Sequence, residues 1–122
     1  MLQVARNLID QGEFSIAVIV VHMACEVATE RSLSEAFGVR GMRNVEDAVV
    51  DFLNGYNLAN GRIRKLYTAL TGDDVQNAAF WQSFKVSATR RNNIMHGGLI
   101  VGQNEAEESH KAASDLVAHL RQ

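Results

Sequence analysis

The sequence predicts an all-α fold, and three observations predict it. Apolar residues recur at helical spacing in nearly every stretch between glycines. The 122 residues contain no proline, so no helix has to end at one. The β-branched run Ile16, Val18, Ile19, Val20, Val21 would pass alone for a buried strand, yet the helical pattern continues through Cys25, Ala28 and Phe37. With 47% hydrophobic and 21% charged residues the chain is too apolar for disorder. Its length fits one domain over residues 1–122, able to bury roughly two thirds of its unfolded surface without a disulfide or zinc. The expected architecture is a compact antiparallel bundle of four to five helices.

Leu2, Val4, Ala5, Leu8 and Ile9 give a short first helix or the first turns of a longer hairpin, interrupted at Gly12. Phe14 to Phe37 reads as a long central helix, apolar nearly all round and then amphipathic, with Gly38 where a C′ glycine belongs. Asn44 is expected to cap the next helix, with Asp47 at its third position and Val45, Val49, Phe52 and Leu53 as its apolar stripe. A helix through Ile63, Leu66, Tyr67 and Leu70 stops at Gly72, and Asp73 or Asp74 is expected to cap its successor. That successor carries Val75, Ala79, Phe80, Phe84, Ala88 and Met95 and ends at Gly97 and Gly98. A last helix begins near Asn104 with Glu105, Glu107 and Glu108 in its first turns and buries Ala113, Leu116, Val117 and Leu120.

A single cysteine cannot close an internal disulfide, so a reduced cytoplasmic location is the default expectation. Arg6, Asp10 and Glu13 leave no room for a signal peptide in the first residues, and the apolar run Ile16–Met23 is far short of the ~20 residues of a membrane span. A soluble protein with no membrane partner is expected. The formal charge of −2 hides an asymmetry. Residues 1–60 hold four basic against eight acidic side chains, whereas residues 61–96 hold six basic (Arg62, Arg64, Lys65, Lys85, Arg90, Arg91) against Asp73 and Asp74. An anionic ligand responds to charge within a Debye length of ~8 Å, so a phosphate-bearing partner is compatible with the acidic total.

One polar cluster has a chemical logic: Arg90, Arg91, Asn92, Asn93, Ile94, Met95, His96, Gly97, Gly98. Asn92 and Asn93 stand four and three residues before His96, so an amide can lie beside the imidazole. Arg91 is about 140° around the helix from His96 at ~100° per residue, so a straight helix does not aim both at one point. That deficit is met if a second copy of the helix supplies the missing group, which argues for a dimeric site. The plain alternative is a histidine on the last carbonyls and an exposed arginine pair.

Arg91, Asn92 and His96 before Gly97 and Gly98 form an R-N-x-x-x-H pattern that resembles the signature of the HEPN superfamily of small helical domains. The early pair of helices reaching Phe37, the lead-in Phe80, Trp81 and Phe84, and the acidic-start final helix are similar to that family along nearly the whole chain. The resemblance implies a HEPN-like bundle that dimerises, so that motif-bearing helices from two subunits share a cleft. In many members this cleft is a metal-independent endoribonuclease site used by toxins, antiviral defence proteins and RNA-processing factors. It also implies Arg91 and His96 as catalytic, Asn92 and Asn93 in support, RNA as substrate contacted by Arg90 and Lys85, no cofactor and no metal. A homodimer is implied, with an antitoxin or a nucleotidyltransferase as partner class. Histidine can accept the ribose 2′-OH proton and return one to the leaving oxygen, and the arginine fork suits charge on the phosphoryl centre. Members paired with a minimal nucleotidyltransferase carry a tyrosine two positions after the histidine, where this chain has Gly98, which argues against modification of this chain. Other branches are noncatalytic nucleotide-binding or dimerisation modules, and that is the alternative function.

Elsewhere the ordinary reading is stronger. His22, Cys25 and Glu26 share a face at i, i+3, i+4, but no second ligand cluster accompanies them and no metal site is expected. Glu26 has a further role open to it, as a partly buried carboxylate pairing with a basic residue of the motif helix and orienting it. His110 and His119 lie about 180° apart on their helix and read as surface histidines. Tyr56, Tyr67 and Trp81 read as packing residues rather than base-stacking platforms.

Overall fold

The computed structural model describes residues 1–121. It contains six α-helices and no strand among the described residues: α1 (Leu2–Asp10), α2 (Phe14–Val39), α3 (Arg43–Leu53), α4 (Gly61–Thr71), α5 (Trp81–Gly97) and α6 (Gln103–Leu120), with a 3-10 turn over Val75–Asn77. The central helix α2 touches each of the other five. Val18, Val21, Cys25, Leu33 and Phe37 are all buried along it, as its all-round apolarity requires. No helix among the described residues is long and apolar enough to cross a membrane.

Hydrogen bonds fix how the elements run. Val101 N–H donates to Ser15 Oγ at one end of the molecule, while Arg31, Ser32 and Leu120 line a common groove at the other, so α2 and α6 run side by side in the same direction. Ser87 meets Ser109 and Arg90 meets the carbonyl of Glu105, so α5 runs against α6 and hence against α2. Ile94, near the end of α5, accordingly packs against the cluster that Ala17 and Val18 near the start of α2 form with Ile9, Val101 and Ala106. The bundle is therefore not antiparallel throughout.

The described residues form six α-helices, more than the expected four to five, because each segment with a helical apolar pattern folds as its own helix, the short α1 included. Three expected boundaries also shift, each for a local reason. Helix α2 runs through Gly38 to Val39, and Gly41 at φ 70° takes the left-handed position instead. At Gly38 a Cβ would fall 2.5–2.8 Å from the guanidinium of the exposed Arg43, a flexible side chain that would have to swing aside. Helix α3 begins at Arg43 without a side-chain cap, so Asn44 does not cap it; a buried Glu46 accepts from Ser34 and ties the helix to α2. Neither Asp73 nor Asp74 caps α5. Asp73 Oδ2 is taken by Tyr67 Oη at 2.6 Å and His119 Nε2 at 2.7 Å, Ala78 is extended, and α5 starts only at Trp81.

Two boundaries follow the sequence closely. Asn60 caps α4 by accepting from Arg62 N–H at 2.9 Å, and Gly72 ends it. Helix α6 opens with Glu105 Oε1 accepting from Gly102 N–H at 3.2 Å, where the carboxylate also complements the macrodipole. Gly98, at φ 67°, stops α5, and Leu99 N–H returns to the Asn93 carbonyl at 3.1 Å.

Candidate functional site

The R-N-x-x-x-H residues occupy the last two turns of α5, and the rotation of that helix decides where each side chain goes. Trp81, Phe84, Ser87 and Ala88 are buried and anchor one face against the core. Arg90 and Arg91, ~100° apart on the helix, then reach to opposite neighbours.

Arg91 turns towards α2. Its Nη2 lies 3.2 Å from Glu26 Oε1, and its Nη1 donates to Asn92 Oδ1 at 2.9 Å. Side chains on a helix lean towards its amino end, and α2 and α5 run oppositely, so Glu26 and Arg91 lean towards one another. The arginine is 24% exposed and the carboxylate 37%, which leaves the pair accessible from outside.

Arg90 turns the other way, onto α6. Its Nη1 donates to the Glu105 carbonyl at 2.9 Å and to Ser109 Oγ at 2.8 Å, and Nη2 to Glu108 Oε2 at 3.3 Å. With 10% of the side chain exposed, its guanidinium joins two helices and is not presented to an RNA phosphate as the sequence reading expects. Lys85, the other expected RNA contact, is exposed and forms no ion pair among the described residues.

His96 is exposed in the final turn and is not hydrogen bonded to Arg91, Asn92 or Asn93. Asn92 and Asn93 are exposed too, with the Asn92 amide oxygen on Arg91 rather than on the imidazole. One chain therefore holds Arg91 and Asn92 together and leaves His96 apart from them.

Beneath the motif lies a buried polar chain that the sequence reading missed. His22 Nε2 is 2.8 Å from Ser87 Oγ, Ser87 shares a 2.8 Å hydroxyl hydrogen bond with Ser109, and Ser109 receives Arg90. Burial, with the nearby Arg91 and Arg90 charges, lowers the His22 pKa from 6.5 to about 4, so its imidazole is neutral near pH 7. The one sequence signal was a histidine inside the most apolar stretch of α2; the serines that answer it are separated from it by most of the chain. Cys25, one turn on, is buried among apolar side chains, and burial with the neighbouring Glu26 pushes its thiol up to about 12. With His22 on Ser87, Cys25 in the core and Glu26 on Arg91, their shared face is used for packing and pairing.

The positive surplus of residues 61–96 is partly cancelled in space. Glu26 neutralises Arg91, and Glu105 and Glu108 neutralise Arg90. Arg64 keeps its charge: its guanidinium sits 5.3 Å from the Trp81 ring centroid and donates to the carbonyls of Leu58 and Ala59. Tyr67 and Trp81 are buried and Tyr56 is partly buried. His110 and His119 are both partly exposed, and each has a partner: His119 is clamped on Asp73, and His110 Nε2 lies 3.3 Å from the Leu2 carbonyl.

Comparison with protein-family models, with curated proteins and with solved structures finds no match for this chain.

Proposed function

We propose that this chain is a HEPN-like endoribonuclease that cleaves RNA through 2′-OH attack at a cleft completed by a second copy, with Arg91 and His96 as the catalytic pair. The observation that carries the reading is the arrangement of α5: Arg91 is held by Glu26 and Asn92 in a half-open position, while His96 is exposed on the same helix with no hydrogen-bond partner among the described residues. Two such helices brought together about a twofold axis would present the arginine of one to the histidine of the other. His96 would take the 2′-OH proton as the 2′ oxygen bonds to phosphorus, and a second proton donor would release the 5′ oxygen, leaving a cyclic phosphate. Arg91 would offset charge on the phosphoryl oxygens, with Asn92 and Asn93 in support.

The test is RNA cleavage by the purified protein in EDTA. Parent activity with loss of about a hundredfold or more in His96→Ala and Arg91→Ala is expected; equal rates in parent and variants would remove both assignments. Sedimentation should show a dimer, and a strict monomer would remove the shared cleft.

A second reading, a noncatalytic dimerisation or nucleotide-binding module, is favoured by one observation. Both motif arginines are already ion-paired, beside an exposed apolar group of Met95, Leu99 and Ile100. It predicts intact RNA throughout and a His96→Ala variant whose defect lies in assembly.

A further inference from the structure

The exposed face of α5 leads away from His96 as an uninterrupted polar line. At ~100° per residue, Gln82, Lys85, Thr89, Asn92 and His96 fall within about 80° of arc, and all five are exposed. The whole helix Trp81–Gly97 contains no carboxylate. The carboxylates that approach it from the neighbouring helices, Glu26 on one side and Glu105 and Glu108 on the other, are each drawn to Arg91 or Arg90. The two arginines thus hold these three carboxylates at the flanks, with one negative charge left over on the α6 side, and Lys85 stands in the line with its charge unpaired among the described residues. Amide, hydroxyl and lysine side chains are the groups that fix a nucleic-acid backbone without reading its sequence.

We propose that this line seats the backbone of a single-stranded RNA, with Lys85 binding a phosphate remote from the cleaved bond. The proposal rests on the endoribonuclease reading for the position of the reacting phosphate at His96. Lys85 is 11 residues before His96, hence about 16 Å away along the helix axis. Even at the ~3.4 Å per nucleotide of a stacked strand, the Lys85 phosphate lies no more than about five nucleotides from His96. A straight exposed helix face matches a single strand laid along it better than a duplex, whose two backbones would need cations on both sides of the line. Here the flanks hold arginines already paired with carboxylates, so neither offers a free cation to a second backbone.

The experiment compares parent, Lys85→Ala and Lys65→Ala in binding a labelled 2′-O-methyl oligonucleotide of about ten nucleotides, which can be held but not cut through its 2′ oxygen, across a salt series. Lys65 is an exposed lysine on α4, off the line, and its variant controls for loss of one positive charge. Lys85→Ala is expected to weaken binding about fivefold and to flatten the logarithmic salt slope by about 0.7, with Lys65→Ala close to the parent. Equal effects of the two variants, or none from Lys85→Ala, would overturn the track. The cleavage assay separates this from the reading beneath it: a parent that binds in a Lys85-dependent way yet cuts no RNA sinks the catalytic reading and leaves the track standing.

Discussion

Arg91 Nη2 meets Glu26 Oε1 at 3.2 Å across the α2–α5 contact, and no other carboxylate pairs with this arginine among the described residues. The pair is partly solvated, so its direct contribution to stability is small, about 0.2–1 kcal/mol. Its larger consequence is orientation, because without Glu26 the guanidinium has only the neighbouring Asn92 amide to hold it. Glu26→Gln is therefore expected to leave the urea midpoint almost unmoved and, if Arg91 acts in RNA cleavage as proposed, to lower kcat/KM for RNA about tenfold or more. A variant that unfolds readily yet cleaves normally when folded would show that Glu26 serves the fold alone.

Arg90 has the opposite balance. Its guanidinium makes charge-assisted bonds to the Glu105 carbonyl and the buried Ser109 hydroxyl, and bonds of this kind contribute about 1.5–3 kcal/mol each. Arg90→Ala should lower unfolding free energy by a comparable amount, with Arg90→Lys recovering only part because an ammonium cannot span both partners. Urea denaturation monitored by Trp81 fluorescence measures this. A change in RNA affinity without a change in stability would return Arg90 to the substrate face.

The pH dependence of stability follows from His22. Its folded pKa of about 4 lies below the ordinary 6.5, so between these values the unfolded chain binds the proton and the folded one does not. Stability is therefore complete above about pH 6.5 and falls as pH drops towards 4, by about 3 kcal/mol. Protonation would place a cation against Arg90 and Arg91 with only Ser87 as partner. His22→Gln should flatten the decline over this window while keeping a side chain able to bond Ser87. Parallel stability profiles for parent and variant would show that other groups set the acid limit.

What the sequence made legible divides by the range of the interaction. The apolar period of α2, the Gly72 stop and the acidic opening of α6 are written in residues a few positions apart, and they read correctly. The start of α5 did not, because Asp73, read as a cap, is consumed by Tyr67 and by His119 from the far end of the chain. Gly38 misled because the helix continues through it and the left-handed turn falls three residues later at Gly41. At the site, local spacing separated Arg91 from His96 by angle alone. It could not reveal that adjacent arginines turn to different helices, because that depends on the rotation of α5 fixed by Phe84, Ser87 and the buried chain to His22. Counting charge along the chain likewise overstated the positive field, since Glu26, Glu105 and Glu108 come from outside the counted segment.

The glycine pair after His96 supplies a prediction in which neighbouring positions move in opposite directions. Gly98 has φ 67°, a conformation that costs an L side chain about 1–2 kcal/mol, although an added Cβ would meet nothing within 4 Å. Gly97 is the last residue of α5, has no positive φ, and also has open space where a Cβ would stand. Alanine there limits the unfolded chain and favours the helix by up to about 1 kcal/mol. Gly98→Ala should thus destabilise and Gly97→Ala be neutral or stabilising, measured by chemical denaturation of both. If His96 acts from the end of this helix, Gly98→Ala should also reduce RNA cleavage by shifting the turn that holds Leu99 on the Asn93 carbonyl, whereas Gly97→Ala should retain activity. Equal destabilisation by the two would mean that backbone conformation is not what requires glycine at these positions.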